Sequence, residues 1–323
     1  MTKTLVNKYS EVKENTTMRD SVIGRLYDLS DIDHRICLFT ADMGAKALDL
    51  WRKREEMTRD GRFSEFGIAE QAMASVAAGV AKEGKRPFIY AIANFVTKRI
   101  HEFHILNAGV QKLPYVTLGV GTGFSYPDSG PTHYMLEDIA IMRTVPNLEI
   151  LSPSDSVMAA ELAEQVAKAD NPVYMRLERF PLPINTHSRE SFEQGFRELR
   201  RGKDGVIIST GTMLSRALEV QDALREKGRD YGVIDIYRLK PLNQTGLMEA
   251  LNGYNRIVTL EEHFLIGGLG SMMSEMITDN NLPLRLHRIG VNNQIPYQYG
   301  RENMQKNLGI DKDSVVKKIE SYR

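Results

Sequence analysis

The run Gly67-Ile68-Ala69-Glu70-Gln71-Ala72-Met73 begins an alanine-rich helical pattern that continues to Ala81, and the apolar run Pro87-Phe88-Ile89-Tyr90 follows it. A helix followed by a short apolar strand is the repeating unit of a parallel α/β sheet. The same run places one carboxylate, Glu70, among apolar side chains. In one interpretation, the helix dipole stabilises Glu70 in the first turn of the helix. In the other, the carboxyl group is buried, holds its proton tightly and shares it with a heterocyclic nitrogen.

On both sides of this unit, helical patterns alternate with short apolar runs, which predicts parallel sheets covered by helices on both faces. The prolines of Pro181-Leu182-Pro183 and the polar residues up to Gln194 indicate a linker, after which the alternation restarts. The sequence therefore predicts two doubly wound α/β domains, residues 1–183 and 201–323, joined by a linker over 184–200. The predicted strands are 36–39, 87–90, 115–120, 148–151, 173–177, 206–209, 232–237, 256–260 and 284–289. The predicted helices are 18–29, 69–82, 94–108, 136–143, 154–168, 214–226 and 270–278, with Thr17 and Ser154 as N-caps of the first and fifth.

The composition is that of a globular protein rather than a nucleic-acid-binding or membrane protein. Of 323 residues 42% are hydrophobic, and 42 basic residues balance 42 acidic ones, so no net field attracts nucleic acid or anionic lipid. No apolar run approaches the roughly 20 residues that a membrane-spanning helix needs. The polar stretch from Met1 to Asn15 lacks the apolar core of a signal peptide. The single cysteine, Cys37, cannot form an internal disulfide, which favours a cytoplasmic protein.

Several motifs that suggest known catalytic sites fail on their details. In His101-Glu102-Phe103-His104 the histidines are three positions apart, whereas a zinc-protease helix needs four. The glycines from Gly119 to Gly123 follow a strand, but Phe124 stands where a dinucleotide-binding loop needs its third glycine. Gly267-Gly268-Leu269-Gly270 lacks the Lys-Ser/Thr of a phosphate loop, and no Gly-x-Ser-x-Gly elbow of a hydrolase occurs.

A second informative segment is Asp128-Ser129-Gly130-Pro131-Thr132-His133. Its stiff Gly-Pro turn holds His133 at the edge of the sheet, after the predicted strand Tyr115 to Val120, where α/β folds place their chemistry. Because histidine titrates near neutral pH, it suits proton transfer there. The alternative is a histidine that caps the helix that follows.

Six motifs together, in their order, resemble those of transketolases. In the first unit these are Phe66-Gly67-Ile68-Ala69-Glu70-Gln71, Gly130-Pro131-Thr132-His133 and Tyr174-Met175-Arg176-Leu177-Glu178-Arg179. In the second unit they are Ile234-Asp235-Ile236-Tyr237-Arg238-Leu239-Lys240-Pro241-Leu242, Val258-Thr259-Leu260-Glu261-Glu262-His263 and Gly267-Gly268-Leu269-Gly270. The resemblance extends from near Asp20 to Gly290, and it implies the pyrimidine-binding domain and the C-terminal domain of a thiamine-diphosphate enzyme.

One motif of that family is missing. In transketolases the diphosphate and its metal bind through Gly-Asp-Gly and an Asn about 25 to 30 residues later, and this sequence contains no Gly-Asp-Gly. The resemblance therefore implies half of a split transketolase, whose partner subunit carries the diphosphate domain and the ligands of Mg²⁺. It also implies an α2β2 heterotetramer with large apolar interfaces, for which the helix from Met73 to Val80 is a candidate contact.

The resemblance assigns roles to individual residues. Glu70 corresponds to the glutamate that hydrogen-bonds the aminopyrimidine ring of the cofactor, and Phe95 to the aromatic residue that stacks on that ring. His133 corresponds to the histidine that contacts the reacting sugar oxygen. Arg179 corresponds to an arginine that binds substrate phosphate, and Arg176 is a second candidate cation. The other candidates in the cofactor pocket are Asp42, Met43, Ile92 and Lys98.

Three departures from the family pattern put the usual pentose-phosphate substrate in doubt. Ser129 stands where many members have an aspartate that reads a sugar hydroxyl, with Asp128 one position earlier. Gly121 stands where many have a phosphate-contacting histidine, and Lys98 replaces an aromatic residue. We therefore expect an altered donor or acceptor, either a less phosphorylated sugar or one that bears another anionic group.

The favoured function is the pyrimidine-domain subunit of a two-chain transketolase that transfers a two-carbon ketol unit between sugars. One alternative is the beta subunit of a 2-oxo-acid dehydrogenase, or an acyloin-forming enzyme similar to deoxyxylulose-phosphate synthase. The Gly-Pro-Thr-His run and Arg179 favour transketolase over these. The other alternative is a non-catalytic regulatory relative, against which the presence of both Glu70 and His133 argues.

Overall fold

Two mostly parallel β-sheets form the centre of the molecule. The computed structural model describes Val12 and residues 15–186, 191–297 and 300–322. The first sheet has seven strands and the second has five, and helices pack against both. The predicted class, two α/β units in sequence, is confirmed. The polar stretch from Met1 to Asn15 lies outside the described residues, apart from Val12 and Asn15.

The first unit contains every predicted strand and adds a short one. Strands β1 to β6 are Ile36–Thr40, Phe63–Glu65, Arg86–Ile92, Val116–Val120, Glu149–Leu151 and Val173–Leu177. Helices α1 to α8 are Met18–Leu29, Leu48–Arg52, Glu55–Arg59, Glu70–Lys82, Ala93–Thr97, His101–His104, Asp138–Arg143 and Ser156–Lys168, and a π-helical turn spans Ile105–Val110. The strands lie in the order β5-β6-β4-β3-β1-β2, and all these neighbours are parallel.

The second unit repeats this architecture around a smaller sheet. Strands β7 to β12 are Phe196–Arg200, Gly205–Ser209, Tyr231–Ile236, Arg238–Lys240, Arg256–Phe264 and Arg285–Val291. Helices α9 to α13 are Met213–Glu226, Gln244–Ala250, Leu269–Asp279, Arg301–Leu308 and Lys312–Ser321. The order is β12-β11-β8-β9-β7, with β7 antiparallel at the edge. Strand β7 occupies the end of the range predicted as a linker, and residues 187–190 of that range lie outside the described residues, so the division of the chain stays a prediction.

Burial explains why the apolar runs became strands. Every residue of β1, β4, β6 and β8 is buried, as expected where helices cover both faces of a parallel sheet. Within the described residues, no helix is both long enough and apolar enough to cross a bilayer.

The caps were predicted in part. Thr17 caps α1 as expected, and its side chain accepts a hydrogen bond from the Asp20 N–H. The prediction that Ser154 caps α8 was wrong. Asp155 is the N-cap and accepts from the Met158 N–H at 2.9 Å, while the Ser154 hydroxyl donates to the Asp235 carboxylate of the second unit.

The single helix predicted over 94–108 was also wrong, because the chain breaks between α5 and α6. The buried His104 imidazole approaches the Val96 carbonyl at 2.7 Å through Nε2 and Tyr115 Oη at 2.6 Å through Nδ1. The Val96 carbonyl thus has a side-chain partner where a continuous helix would use a backbone N–H. The break leaves Lys98 and Arg99 exposed at the turn between the two short helices.

One strand joins the two units. Strand β10 follows β9 of the second sheet but pairs antiparallel with β5 at the edge of the first. An ion pair between Arg238 and Glu149, at 2.8 Å, lies beside this pairing. Because β10 lies so far along the chain from β5, the sequence alternation alone did not predict the crossing.

Candidate functional site

Glu70 begins α4 and is buried, so the first-turn position and the burial considered from the sequence occur together. The carboxylate lies in the first turn of the helix, with the residue 5% exposed. Its Oε1 accepts a hydrogen bond from Arg99 Nη1 at 3.0 Å. A cleft of about 470 Å³ opens beside it, lined by Ile68, Ala69, Glu70, Gln71, Ala72 and Arg99. A single buried carboxylate thus faces a largely apolar space.

Phe95 connects this cleft to His133. The Arg99 guanidinium that bonds Glu70 also lies over the Phe95 ring, 3.8 Å from its centroid. On another side, the Phe95 ring packs edge-on against the His133 imidazole, with centroids 5.4 Å apart. Glu70, Arg99, Phe95 and His133 therefore form one continuous row of contacts.

Hydrogen bonds with nearby residues hold the turn that carries His133 in place. The Asn94 side-chain amide donates to the Thr132 carbonyl, and the Thr132 hydroxyl lies 2.9 Å from His133 Nδ1. Partial burial, and secondarily the positive charge of Arg99, lowers the pKa of His133 below its ordinary value. The imidazole is therefore neutral at pH 7 and has a nitrogen that can accept a proton.

The row continues from His133 to Arg179 through Tyr126. The Tyr126 and His133 rings lie 5.9 Å apart, and the Arg179 guanidinium lies 4.4 Å from the centroid of the Tyr126 ring. Burial raises the pKa of the Tyr126 hydroxyl, although the positive charges of Arg179 and Arg19 oppose that rise. The hydroxyl is therefore protonated at neutral pH and can act as a donor.

Arg176 does not join this row, so the expectation that it binds a substrate anion was wrong. Its guanidinium is buried and forms two hydrogen bonds with Asp138, from Nε at 2.6 Å and from Nη2 at 3.1 Å, while Nη1 donates to Ser152. The Tyr174 hydroxyl donates to the same carboxylate. The Asp138 carboxylate neutralises the guanidinium, and the surrounding protein buries it. Arg176 therefore makes a structural contact and is not exposed to bind an anion.

Buried carboxylates hold the loop between β4 and His133. Glu178 Oε1 accepts from the Ser125 hydroxyl and from the Arg179 N–H, and Glu262 Oε2 accepts from the Phe124 N–H at 3.0 Å. Arg301 donates to both carboxylates, at 2.7 Å to Glu178 and 2.6 Å to Glu262. The second unit thus contributes Glu262 and Arg301 to the support of the loop.

The remaining predicted residues lie at the same carboxyl edge of the sheet. Asp42, exposed and with φ +48°, and the buried Met43 follow β1, and the half-buried Ile92 ends β3. Lys98 is exposed and pairs with Glu137. Asp128 and Ser129 are exposed on the loop before His133. None of these is joined by a hydrogen bond to Glu70 or His133 in the described part of the chain.

Three residues of the site were not predicted from the sequence. Arg99 lies four positions after Phe95, a spacing that brings side chains together on a helix. Tyr126 is an aromatic residue in a loop otherwise rich in Gly, Pro and Ser. Arg19, on α1, acts electrostatically on Tyr126, while its Nε lies 3.6 Å from the Asp20 carboxylate and its Nη1 donates to the Gly44 carbonyl. The sequence around Arg19 gave no indication that this residue lies close enough to Tyr126 to act on it.

The part of the chain that the structure describes contains no group of three or more His, Cys, Asp or Glu side chains arranged to hold a metal ion.

Known proteins resemble the chain over nearly its full length. Residues 14–183 match the family model of the transketolase pyrimidine-binding domain, and residues 195–315 match that of the transketolase C-terminal domain. A subunit of 6-deoxy-6-sulfo-D-fructose transketolase from Clostridium sp. (strain MSTE9) is 32% identical over 288 residues, which cover 88% of each chain. One of the subunits of apulose-4-phosphate transketolase from Phocaeicola vulgatus is 30% identical over 303 residues, covering 93% of this chain and 95% of that protein.

A solved structure has the same fold in both units. A split-gene transketolase, described as an inactive beta4 tetramer, superposes with a TM-score of 0.83 and 29% identity. The superposition covers 95% of this chain and 97% of that one. It therefore includes both sheets and the cleft that lies at the edge of the first.

Proposed function

The chain belongs to the transketolase family, as the pyrimidine-domain subunit of a thiamine-diphosphate-dependent transferase that works with a partner subunit, and we propose that it acts on sugars with an anionic terminal group. The transferred group is a two-carbon ketol unit. The observation that supports the substrate class is the row of contacts from the buried carboxylate of Glu70 to the guanidinium of Arg179. Its two ends suit two different chemical groups.

The Glu70 end fits an aminopyrimidine. Thiamine diphosphate, when bound, supplies the carbon that carries the two-carbon unit. Glu70 hydrogen-bonds a ring nitrogen, and the half-buried Phe95 offers a ring face for stacking. Arg99 now makes both of those contacts, so its guanidinium moves aside when the cofactor enters. Asp42, Met43, Ile92 and Lys98, at the same edge of the sheet, are the proposed remainder of this pocket.

His133 stands between the two ends. Its neutral imidazole contacts the reacting sugar oxygen and holds or releases a proton there. The fixed turn supports this role, because the Thr132 carbonyl is held by Asn94 and the ring is packed between Phe95 and Tyr126. Positioning of this kind keeps the proton-transferring nitrogen at one place in the cleft.

The Arg179 end suits an anion. Arg179 forms no ion pair with any described residue. The charge of Arg19 acts on the same Tyr126 hydroxyl, and its Nε lies 3.6 Å from the Asp20 carboxylate. The relatives named above act, by their names, on a sulfonated and a phosphorylated sugar. We propose that Arg179 and Arg19 bind such a group and that Asp128 and Ser129 contact sugar hydroxyls.

The partner subunit is proposed to carry the diphosphate domain and the Mg²⁺ ligands. Apolar side chains on and next to α4 and in the π-helical turn are exposed: Ile68 (76%), Val76 (43%), Leu106 (47%) and Val110 (69%). Burial of such a face on assembly is favourable by roughly 25 cal/mol per Å², which supports an α2β2 heterotetramer. A cytoplasmic location and a division into domains at residues 183 and 201 complete the proposal.

The alternatives from the sequence are less well supported. The relatives described above are transketolase subunits rather than beta subunits of a 2-oxo-acid dehydrogenase. One row of contacts links Glu70 through Arg99 to Phe95 and on to His133, which argues against a regulatory relative that has lost catalysis.

Reconstitution tests the proposal. The chain is co-expressed with a diphosphate-domain partner, and ketol transfer from phosphorylated and sulfonated ketoses, xylulose 5-phosphate among them, is measured with and without thiamine diphosphate. Glu70→Gln removes the ionisable proton acceptor, and we expect kcat to fall roughly 10²- to 10⁴-fold. Glu83→Gln, at the exposed end of the same helix, is the matched control and leaves kcat unchanged. Equal rates for wild type and Glu70→Gln would reject the catalytic role.

A further inference from the structure

The roles proposed above give Tyr126 only a packing contact with His133. We propose that Tyr126 determines specificity for the anionic end of the substrate, and that Gly121 provides the space in which its ring lies. The inference rests on the proposed function and makes it more specific. The class of ligand is a sugar that carries a tetrahedral oxyanion, phosphate or sulfonate, on a carbon remote from the reacting one.

The space for the ring exists only because residue 121 is glycine. A Cβ on Gly121 would lie 2.1 Å from Tyr126 Cε2 and 2.4 Å from Cδ2, far inside van der Waals contact. The residue also has φ +86°, which side chains disfavour, while its N–H is fixed to the Leu177 carbonyl at 2.8 Å. The ring of Tyr126 and a side chain at position 121 are therefore mutually exclusive.

The ring is positioned between the proton-transferring group and the anion-binding group. Its centroid lies 5.9 Å from that of His133, and the Arg179 guanidinium lies 4.4 Å from it. The Tyr126 side chain is partly exposed, and its hydroxyl has no hydrogen-bond partner within the described residues. A protonated hydroxyl and a guanidinium without an ion pair thus stand side by side, both as donors. Such a pair favours an oxyanion, which only accepts.

One buried carboxylate fixes both donors. Glu178 Oε1 holds the Ser125 hydroxyl, next to Tyr126, and the N–H of Arg179 itself. Glu262 holds the Phe124 N–H one position further along the loop. Buried contacts therefore hold the backbone that carries both donors, as selective recognition requires. A neutral hydroxymethyl group in the same place would leave the Arg179 guanidinium uncompensated.

Kinetics of the reconstituted enzyme with two acceptors test the inference. Ribose 5-phosphate carries the anion, whereas glycolaldehyde is uncharged and has no oxyanion for Tyr126 and Arg179 to bind. In Tyr126→Phe we expect KM for ribose 5-phosphate to rise roughly tenfold or more, the usual effect of losing a hydrogen bond to a charged group. KM for glycolaldehyde and the Kd of thiamine diphosphate stay within about twofold of wild type.

Two further variants distinguish recognition from loop stability. Gly121→Ala displaces the ring, and it is expected to raise KM for ribose 5-phosphate as Tyr126→Phe does. Tyr134→Phe removes a hydroxyl that donates to Pro127 in the same loop, and it leaves the ratio of the two KM values unchanged. If Tyr126→Phe leaves KM for ribose 5-phosphate unaltered, or raises both KM values alike, the inference is wrong.

Calorimetric titration of ribose 5-phosphate and ribose, without a ketose donor, separates this inference from the proposed function. Tighter binding of ribose 5-phosphate that disappears in Tyr126→Phe supports the role of Tyr126 even if the pair transfers no ketol unit. Equal binding of the two sugars by the wild-type pair overturns it.

Discussion

Glu178 and Arg301 form an ion pair at 2.7 Å between the end of β6 in the first unit and α12 in the second. The glutamate side chain is fully buried, and Arg301 also bonds Glu262 through two nitrogens. Since Glu178 holds Ser125 and the Arg179 N–H, the guanidinium of the second unit supports both the loop and the anion-binding end of the site. The second unit therefore has a direct part in the geometry of the cleft.

Replacement of Arg301 is expected to destabilise the protein strongly. Arg301→Met leaves two buried carboxylates without their shared cation, and a broken buried pair typically costs about 3–5 kcal/mol. Arg238→Met is the matched control, because Arg238 is similarly exposed (22% against 19%) and also bonds a carboxylate across the two units, away from the loop. Urea unfolding of the chain measures both. A loss of free energy of unfolding no larger for Arg301→Met than for Arg238→Met would contradict this account.

Removal of Arg99 is expected to strengthen cofactor binding. Its guanidinium holds Glu70 and covers Phe95, and the side chain is 45% exposed, so the two contacts together contribute about 1 kcal/mol. Arg99→Ala should therefore lower the Kd of thiamine diphosphate in the reconstituted pair by roughly fivefold. Lys82→Ala, which removes an exposed cation from the last turn of α4, controls for charge alone. Weaker binding in Arg99→Ala would mean that Arg99 contacts the cofactor directly.

The acid side of the activity profile is expected to follow His133. Its pKa lies below the ordinary value because of burial and the charge of Arg99, so the imidazole stays neutral to a lower pH than free histidine. Activity should thus persist as the pH falls past 6.5 and decline only when the ring gains its proton. In Arg99→Ala the pKa of His133 rises, which NMR titration of the imidazole in the cofactor-free chain measures. An unchanged titration of His133 in Arg99→Ala would exclude this electrostatic coupling.

The stability of the fold is expected to fall in mild acid through His104. Burial lowers the pKa of His104 to about 4 in the folded chain, from about 6.5 when unfolded. Between those values the unfolded state binds a proton that the folded state does not. The free energy of unfolding therefore falls as the pH drops from about 6.5 to about 4, by up to about 3 kcal/mol in total. Urea unfolding at about pH 7.5 and about pH 5 measures this loss. His104→Gln should show a smaller difference between the two pH values, and an equal difference would place the proton uptake elsewhere.

Much of the fold and part of the site followed from local sequence. Buried strands appear as apolar runs, and the motifs around Glu70 and His133 picked out two residues that one row of contacts joins. Positions that depend on distant partners did not follow. Arg176 looked available because its partner Asp138 lies far along the chain, and the helix over 94–108 looked continuous because the His104 side chain that bonds Val96 leaves no local pattern.

The contacts that hold the loop could not be predicted from the sequence for the same reason. Glu178, Glu262 and Arg301 are separated by long stretches of sequence, and only the packing of the two units brings their charges together. The position of Tyr126 could not be predicted either. Only the structure shows that its ring occupies the space that a side chain at Gly121 would need.

Titration of thiamine diphosphate tests the central claim, that Glu70 of this chain completes a cofactor site whose diphosphate end is held by the partner. Four samples suffice: this chain alone, the partner alone, the wild-type pair and the pair with Glu70→Gln, each with Mg²⁺ and followed by fluorescence quenching. We expect tight, saturable binding by the wild-type pair and binding at least roughly tenfold weaker in the other three. Tight binding by this chain alone, or equal affinity in the Glu70→Gln pair, would contradict the account.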